Sequence, residues 1–338
     1  MCSSDLFNFS AGVSNSLETL DIVGQDFTNP VVTCAIASPR PISFVADPFL
    51  VLAHEMPSTL ASKGYIYMFF EMKNTETGLG EIGAARSNDD GKSWNYVGEA
   101  LVKPYHLSYP FIIYDGVKNL FLMIPESNEA LAVCIYQTTP EKFPLGWHLV
   151  KVALSGRKFV DTSLVKVGSR FFIFTSVDYS LYVYSTDDIF SDWVAHPFNP
   201  VVKHNKKIGR SAGKATLIDG RIIRTAQDCS NFYGEKIYLF EVNVTDVEYS
   251  ETLLYTLTPP SNSWNKARFH HIDLHVLQDK SLLVAFDGDW NPDDNIFFKH
   301  EGIRPYLLTY VHTFFPLLSL LYGILFCFSP ALLTLLFR

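Results

Sequence analysis

The sequence predicts an all-β chain: a five-bladed β-propeller closed by its own N-terminal strands and followed by a C-terminal transmembrane or re-entrant helical segment. Three observations carry this. A hairpin pattern of anchor, apolar strand, turn and second apolar strand recurs five times, with anchors at Asp47, Tyr109, Asp161, Gly213 and Asp273. The anchors are 62, 52, 52 and 60 residues apart, the length of one propeller blade. From Tyr306 to Phe337 no Asp, Glu, Lys or Arg occurs, a run of 32 residues, where about 20 helical residues suffice to cross a bilayer.

The inner hairpins come first in each repeat. Their strands are rich in Val, Ile, Phe and Tyr and are punctuated by Gly and Asp-Gly turns. The turn falls seven residues after the anchor at Gly116, Gly168, Gly220 and Lys280, and later in the copy that starts at Asp47. Each of the first four hairpins precedes a second pair of strand candidates, at 82–102, 131–152 and 181–202 among others. Four strands per repeat make a blade. The fifth copy lacks an outer pair, and the N-terminus has strand material to spare. Asn29-Pro30-Val31-Val32 echoes Asn199-Pro200-Val201-Val202 at the end of the third blade. Residues near 6–33 are therefore expected to supply the outer strands of the last blade and to close the ring, which removes exposed sheet edges. Ser87 to Trp94 reads S-x-D-x-G-x-S-W, a hairpin cap with a structural role. The propeller is expected over 1–303 and the membrane segment over 304–338.

Composition narrows the function. With 27 Lys and Arg against 35 Asp and Glu, the net charge of −8 excludes a general nucleic-acid binder. The five cysteines lack metal-ligand spacing and read as buried filler. The N-terminus has neither the basic region nor the apolar run of a cleaved signal peptide. Pro316 and Pro330 interrupt the C-terminal apolar run, giving a kinked span or a re-entrant hairpin. The basic residues before it, Lys299 and Arg304, favour a cytosolic propeller. The sequons at Asn8 and Asn243 offer the opposite test, because only a lumenal domain is glycosylated there.

In a propeller, the start of each inner strand and the end of its hairpin partner meet at one mouth of the central channel. The starts contribute Asp47, Ser108-Tyr109, Asp161, Arg210-Ser211 and His270-His271-Asp273; the ends contribute Glu71, Glu126, Ser176, Gln227-Asp228 and Asp287. The expected ligand set is Glu71, Tyr109, Arg210, Gln227, Asp228, His270, His271 and Asp273, with Asp47, Asp161 and Glu126 as candidate catalytic carboxyls. Carboxylates and Gln match vicinal hydroxyls, and Tyr109, Tyr233 and Phe269 suit a pyranose face, so a sugar is the natural ligand. Arg210 is expected to pair with an anionic group of that ligand. Strand alternation sends His270, His271, Asp273 and His275 to different faces, so neither a metal nor another cofactor is expected.

The ordered motifs ADPF (46–49), MFFE (68–71), GEIGAARSNDDGKSW (80–94), HLSYPF (106–111), MIPES (123–127), DTSLV (161–165), HPFNPVV (196–202), GRSAG (209–213), AQDC (226–229) and HHID (270–273) resemble the N-terminal domain of glucosamine inositolphosphorylceramide transferases, from about Asn29 to Asp289. That domain is similar to the five-bladed propellers of family 43 and family 32 glycoside hydrolases. The resemblance implies a sugar or glycolipid head-group ligand, a separate glycosyltransferase as partner, and a membrane location in the Golgi or endomembranes. The side of the membrane stays open. By the hydrolase resemblance Asp47 and Asp161 match two of that fold's acids. The third acid's place reads Ile208-Gly209-Arg210-Ser211-Ala212-Gly213. A glycosidase-like enzyme would need an atypical acid such as Glu126 or Glu71.

Overall fold

The computed structural model describes residues 10–14, 28–37, 40–259, 264–277 and 282–289. The described residues lie within the unit Met1–Pro292. They form a five-bladed propeller. The strand β1 (Ser10–Ser14) precedes the first blade. Blade 1 holds β2 (Ile42–Val51), β3 (Ile66–Asn74), β4 (Gly80–Ser87) and β5 (Asn95–Leu101). Blade 2 holds β6 (Ser108–Asp115), β7 (Leu120–Glu126), β8 (Ala132–Thr138) and β9 (His148–Ser155). Blade 3 holds β10 (Val160–Val167), β11 (Arg170–Val177), β12 (Ser180–Thr186) and β13 (Val194–Ala195). Blade 4 holds β14 (Thr216–Ile218), β15 (Arg221–Asp228), β16 (Lys236–Val244) and β17 (Tyr249–Leu257). Blade 5 begins with β18 (Ile272–Val276) and β19 (Leu282–Gly288).

Both faces of a blade pack against a neighbouring blade, which explains why the inner strands read as apolar runs such as MFF and FLMI rather than as alternating patterns. Five apolar clusters fill the five interfaces between blades. Phe69, Phe121, Phe143 and Trp147 lie between blades 1 and 2, with Phe121 and Phe143 stacked at 3.8 Å. Phe111, Ile124, Leu164 and Ile173 join blades 2 and 3, with Phe49 of blade 1 packed on the same cluster. Phe174, Val183, Ile222 and Val242 join blades 3 and 4. Ile223, Leu239, Leu274 and Phe286 join blades 4 and 5.

The last interface closes the ring. β1 pairs antiparallel with β19, from Ser10 opposite Gly288 to Ser14 opposite Val284. Val32 then bridges Ala11 as a further edge. The echo between the two Asn-Pro-Val-Val segments is structural: Val31 N–H donates to Ala11 O and Val201 N–H to Leu181 O, each at 2.9 Å. Ala11, Val31 and Val32 pack with Met68, Phe70, Leu283 and Ala285 between blades 5 and 1.

Turns form at Gly116, Gly168 and Gly220 as expected, whereas Lys280 lies outside the described residues. The hairpin cap at 87–94 is structural. Asp89 accepts hydrogen bonds from Ser87 Oγ, Ser93 N–H and Ser93 Oγ, and the Trp94 indole donates to Gly91 O at 2.9 Å. Cysteine needs a correction: Cys34 is disulfide-bonded, whereas Cys134 and Cys229 are the free, buried filler expected. Among the described residues, no helix is long and apolar enough to cross a membrane. The apolar run from Tyr306 to Phe337 lies outside those residues.

Candidate functional site

One backbone device builds the mouth of the channel. Asp47, Tyr109 and Asp161 have φ of 52°, 46° and 50° at equivalent points of blades 1, 2 and 3. Each sits where the inner ladder slips register, between Ala46 and Phe49, Ser108 and Phe111, and Val160 and Ser163. A left-handed residue inside a bulge leaves the strand's alternation, and such strain persists only where the surroundings hold it. Here a carboxylate from the preceding blade holds the amide. Asp47 N–H donates to Asp287 Oδ2 at 2.9 Å, Tyr109 N–H to Asp47 Oδ2 at 3.0 Å, and Asp161 N–H to Glu126 Oε2 at 3.3 Å. The same carboxyls therefore bind the blades together and furnish the site.

Two polar knots result. In the first, His270 Nε2 lies 3.3 Å from Asp47 and Nδ1 lies 2.9 Å from Asp287, while His271 Nδ1 is 3.5 Å from Asp47. Asp287 also accepts the His271 N–H at 3.0 Å. Burial opposes the charge on His270, but Asp287 and Asp47 outweigh it and raise its pKa well above the usual value. Burial likewise opposes ionisation of Asp47, yet the His270 hydrogen bond and the two histidines hold it at about 2.

In the second knot, Arg210 donates through Nε and Nη2 to both oxygens of Asp161. Its Nη2 lies 3.9 Å from Glu126, and its guanidinium stacks 5.2 Å from the Tyr233 ring centre. Gln227 donates to Ser211 O at 2.9 Å and reaches Asp161 at 3.5 Å. Tyr233 lies 5.0 Å from the His270 ring and so links the knots.

Burial and the neighbouring Asp161 push Glu126 up to about 8. Burial and Asp47 push Glu71 well above the carboxylate range. Burial and Lys73 lower His106 to about 4. Its Nδ1 accepts Gly80 N–H at 2.9 Å, so the neutral ring turns Nε2–H toward Glu71 Oε1, 3.3 Å away. The mouth therefore sets a carboxyl held low, Asp47, beside two that burial raises, Glu71 and Glu126.

The protonation of Glu126 has a sign that can be measured. A carboxyl raised from 4.5 to about 8 contributes stability that is complete below 4.5 and is lost as pH rises through 8. Glu126→Gln should flatten this decline, which one group can steepen by at most about 1.4 kcal/mol per pH unit. Denaturant titrations of both proteins across that window check it. Parallel curves would show that Glu126 ionises normally.

The structure places Asp47, Glu71, Glu126, Asp161, Arg210, Gln227, His270 and His271 near one another. Tyr109 belongs to the floor: its ring packs on Phe49 and His271, and its hydroxyl accepts Gly213 N–H at 3.1 Å. Two expectations need correction. Asp228 faces away, toward Ser230, Tyr238 and Lys236, because its neighbour Gln227 takes the inward face of the strand. Asp273 lies in a separate cluster, accepting Leu50 N–H at 2.7 Å and contacting His275 at 2.7 Å and Lys214 at 3.1 Å. The residue of blade 5 that meets the hairpin end is His271, just before β18, whose carbonyl receives Asp287 N–H, two residues ahead of the anchor expected at 273. Asp287 was left out of the candidate set and is the hub of the first knot. Its place at a hairpin end, like Glu71 and Glu126, was the available signal. Among the described residues, Asp47, His270 and Asp287 form the group with metal-ligand spacing, their donor atoms within 4.8 Å of one another; a protonated His270 competes for that position.

By fold, the chain is a five-bladed propeller similar to that of a glycoside hydrolase. It aligns over 90% of its length with 98% of Zg3597, a family 117 glycoside hydrolase of Zobellia galactanivorans, at a TM-score of 0.51 and 14% identity, a likeness of fold alone. Residues 20–289 match the family described as glucosamine inositolphosphorylceramide transferase 1, N-terminal, and the chain belongs to that family. It is 34% identical over 281 residues to glucosamine inositolphosphorylceramide transferase 1 of Oryza sativa subsp. japonica, covering 78% of this chain and 36% of the relative. The Arabidopsis thaliana protein of that name is 33% identical over 323 residues, covering 90% and 40%. The chain thus spans less than half the length of the curated relatives it matches.

Proposed function

We propose that the mouth binds the hydroxyl-rich ring of a sugar or glycolipid head group, and that the propeller serves as the recognition module of a glycolipid glycosyltransferase at an endomembrane. The observation that carries this reading is the gathering of carboxyls of unlike acidity at one end of the inner strands, Asp47 held low beside His270 and Glu71 and Glu126 raised by burial, with Gln227 and Arg210 next to them. Carboxyls, an amide and imidazoles placed side by side suit vicinal hydroxyls. Arg210 is already bound to Asp161, which favours a neutral ring over a phosphate as the group in the mouth. The segment 304–338 is proposed as the membrane anchor, and a separate catalytic segment or chain as the partner, since the relatives are far longer.

The test is calorimetric titration with N-acetylglucosamine, free inositol and inositol phosphate. Asp47→Asn should weaken binding of the neutral rings by ten-fold or more, about 1.4 kcal/mol. Inositol phosphate should bind no more tightly than inositol. Absence of binding to all three ligands by the parent would overturn the reading.

A second reading rests on the same split of acidities. Glu126 stays protonated to about 8 while Asp47 is ionised from about 2 upward, the division of labour of a glycosidase acid and base. It requires hydrolysis of aryl glycosides that is lost in both Glu126→Gln and Asp47→Asn.

A further inference from the structure

We propose that Asn243 carries an N-linked glycan, and hence that the propeller faces the lumen of an endomembrane. Asn243-Val244-Thr245 is an acceptor sequence. Its placement on the fold suits modification. Asn243 is exposed near the end of β16, whereas Val242 and Val244 on either side are buried in the core between blades 3 and 4. Alternation along the strand therefore sends the carboxamide outward. Thr245 is exposed and opens a tight turn in which its N–H donates to Glu248 O at 3.0 Å. The cross-strand partner of Asn243 is Ser250, which is also exposed, so nothing crowds the amide.

The disulfide at Cys34 is an independent observation. Disulfides persist in oxidising compartments, and N-glycosylation takes place in the same lumenal space. The disulfide thus speaks against the cytosolic side suggested by Lys299 and Arg304 and for the compartment in which the acceptor sequence is modified. In the transfer, a bond forms between Asn243 Nδ2 and C1 of an oligosaccharide carried on a polyprenyl diphosphate. The C1–O bond to the diphosphate breaks, and the amide proton leaves with the departing polyprenyl diphosphate. The product stands beside β17, the outer strand of blade 4 among the described residues, which exposes Leu253 and Tyr255. A bulky polar group there would hinder edge-to-edge pairing.

The experiment expresses the full chain in a eukaryotic host and compares gel mobility before and after peptide-N-glycosidase treatment. The Asn8→Gln background removes the other sequon. In that background the enzyme should shift the parent, while Asn243→Gln and Thr245→Ala should run at the deglycosylated position and Thr245→Ser should keep the glycan. Asn243 is an exposed residue near the end of β16, so Asn243→Gln should fold like the parent, and Thr245→Ser keeps the hydroxyl that accepts the Val247 and Glu248 N–H groups in the turn. Identical mobility of the Asn8→Gln protein and its Asn243→Gln derivative before treatment would overturn the proposal, as would an unmodified Asn243 peptide by mass spectrometry.

Discussion

Deleting residues 1–33 is expected to abolish the cooperative unfolding transition of the propeller, although more than 300 residues remain. The deletion removes β1 from β19 along with the bridge from Ala11 to Val32. It also removes Val31 and Val32, both buried against Met68, Phe70 and Leu283. Each valine contributes roughly 1.5–3 kcal/mol by burial. The lost ladder hydrogen bonds add about 0.5–1.5 kcal/mol each. Together these approach the 5–15 kcal/mol by which domains of this kind are stable. The damage spreads, because blade 5 is the neighbour of both blade 4 and blade 1 and a ring opened at one joint exposes two faces. Calorimetric melting of the deletion and the parent decides it. Equal melting temperatures would show that the ring closes without its N-terminal strands.

The closure was legible because it depends on a local pattern. Asn29-Pro30-Val31-Val32 and Asn199-Pro200-Val201-Val202 make the same hydrogen bonds in different blades, so likeness of sequence reported likeness of position. The inner hairpins were legible for a related reason, since turn residues such as Gly116, Gly168 and Gly220 mark where the chain must reverse. Blade 5 resisted. Its turn lies outside the described residues, and Asp273 offered a carboxylate that resembled an anchor by residue type. Residue type alone cannot distinguish the carboxylate of a mouth from that of an internal ion cluster with Lys214 and His275. Asp287 was hidden by the same limit. Its place at a hairpin end was legible, but its hold on the Asp47 amide of blade 1, 240 residues away in sequence, was not.

Arg210→Ala is expected to destabilise the fold by about 3 kcal/mol, the lower end for breaking a buried ion pair, because the arginine side chain retains 21% exposure. The sequence suggested a different outcome, in which Arg210 pairs with an anionic ligand and its loss leaves the fold intact. The geometry decides between them: both oxygens of Asp161 accept from Arg210, and Asp161 is almost fully buried. Without the guanidinium, a carboxylate in blade 3 is left buried beside Glu126, and Gln227 alone of the blade-4 side chains in the knot still reaches it. Removing the charges on both sides should cost less than removing one, since a desolvated ion pair contributes little beyond satisfying its own members. Arg210→Met combined with Asp161→Asn should therefore recover much of the stability lost in Arg210→Met alone. A double-mutant cycle in denaturant measures the coupling. If the two substitutions are additive, and Arg210→Met instead weakens binding of inositol phosphate at unchanged stability, then Arg210 serves a ligand rather than the fold.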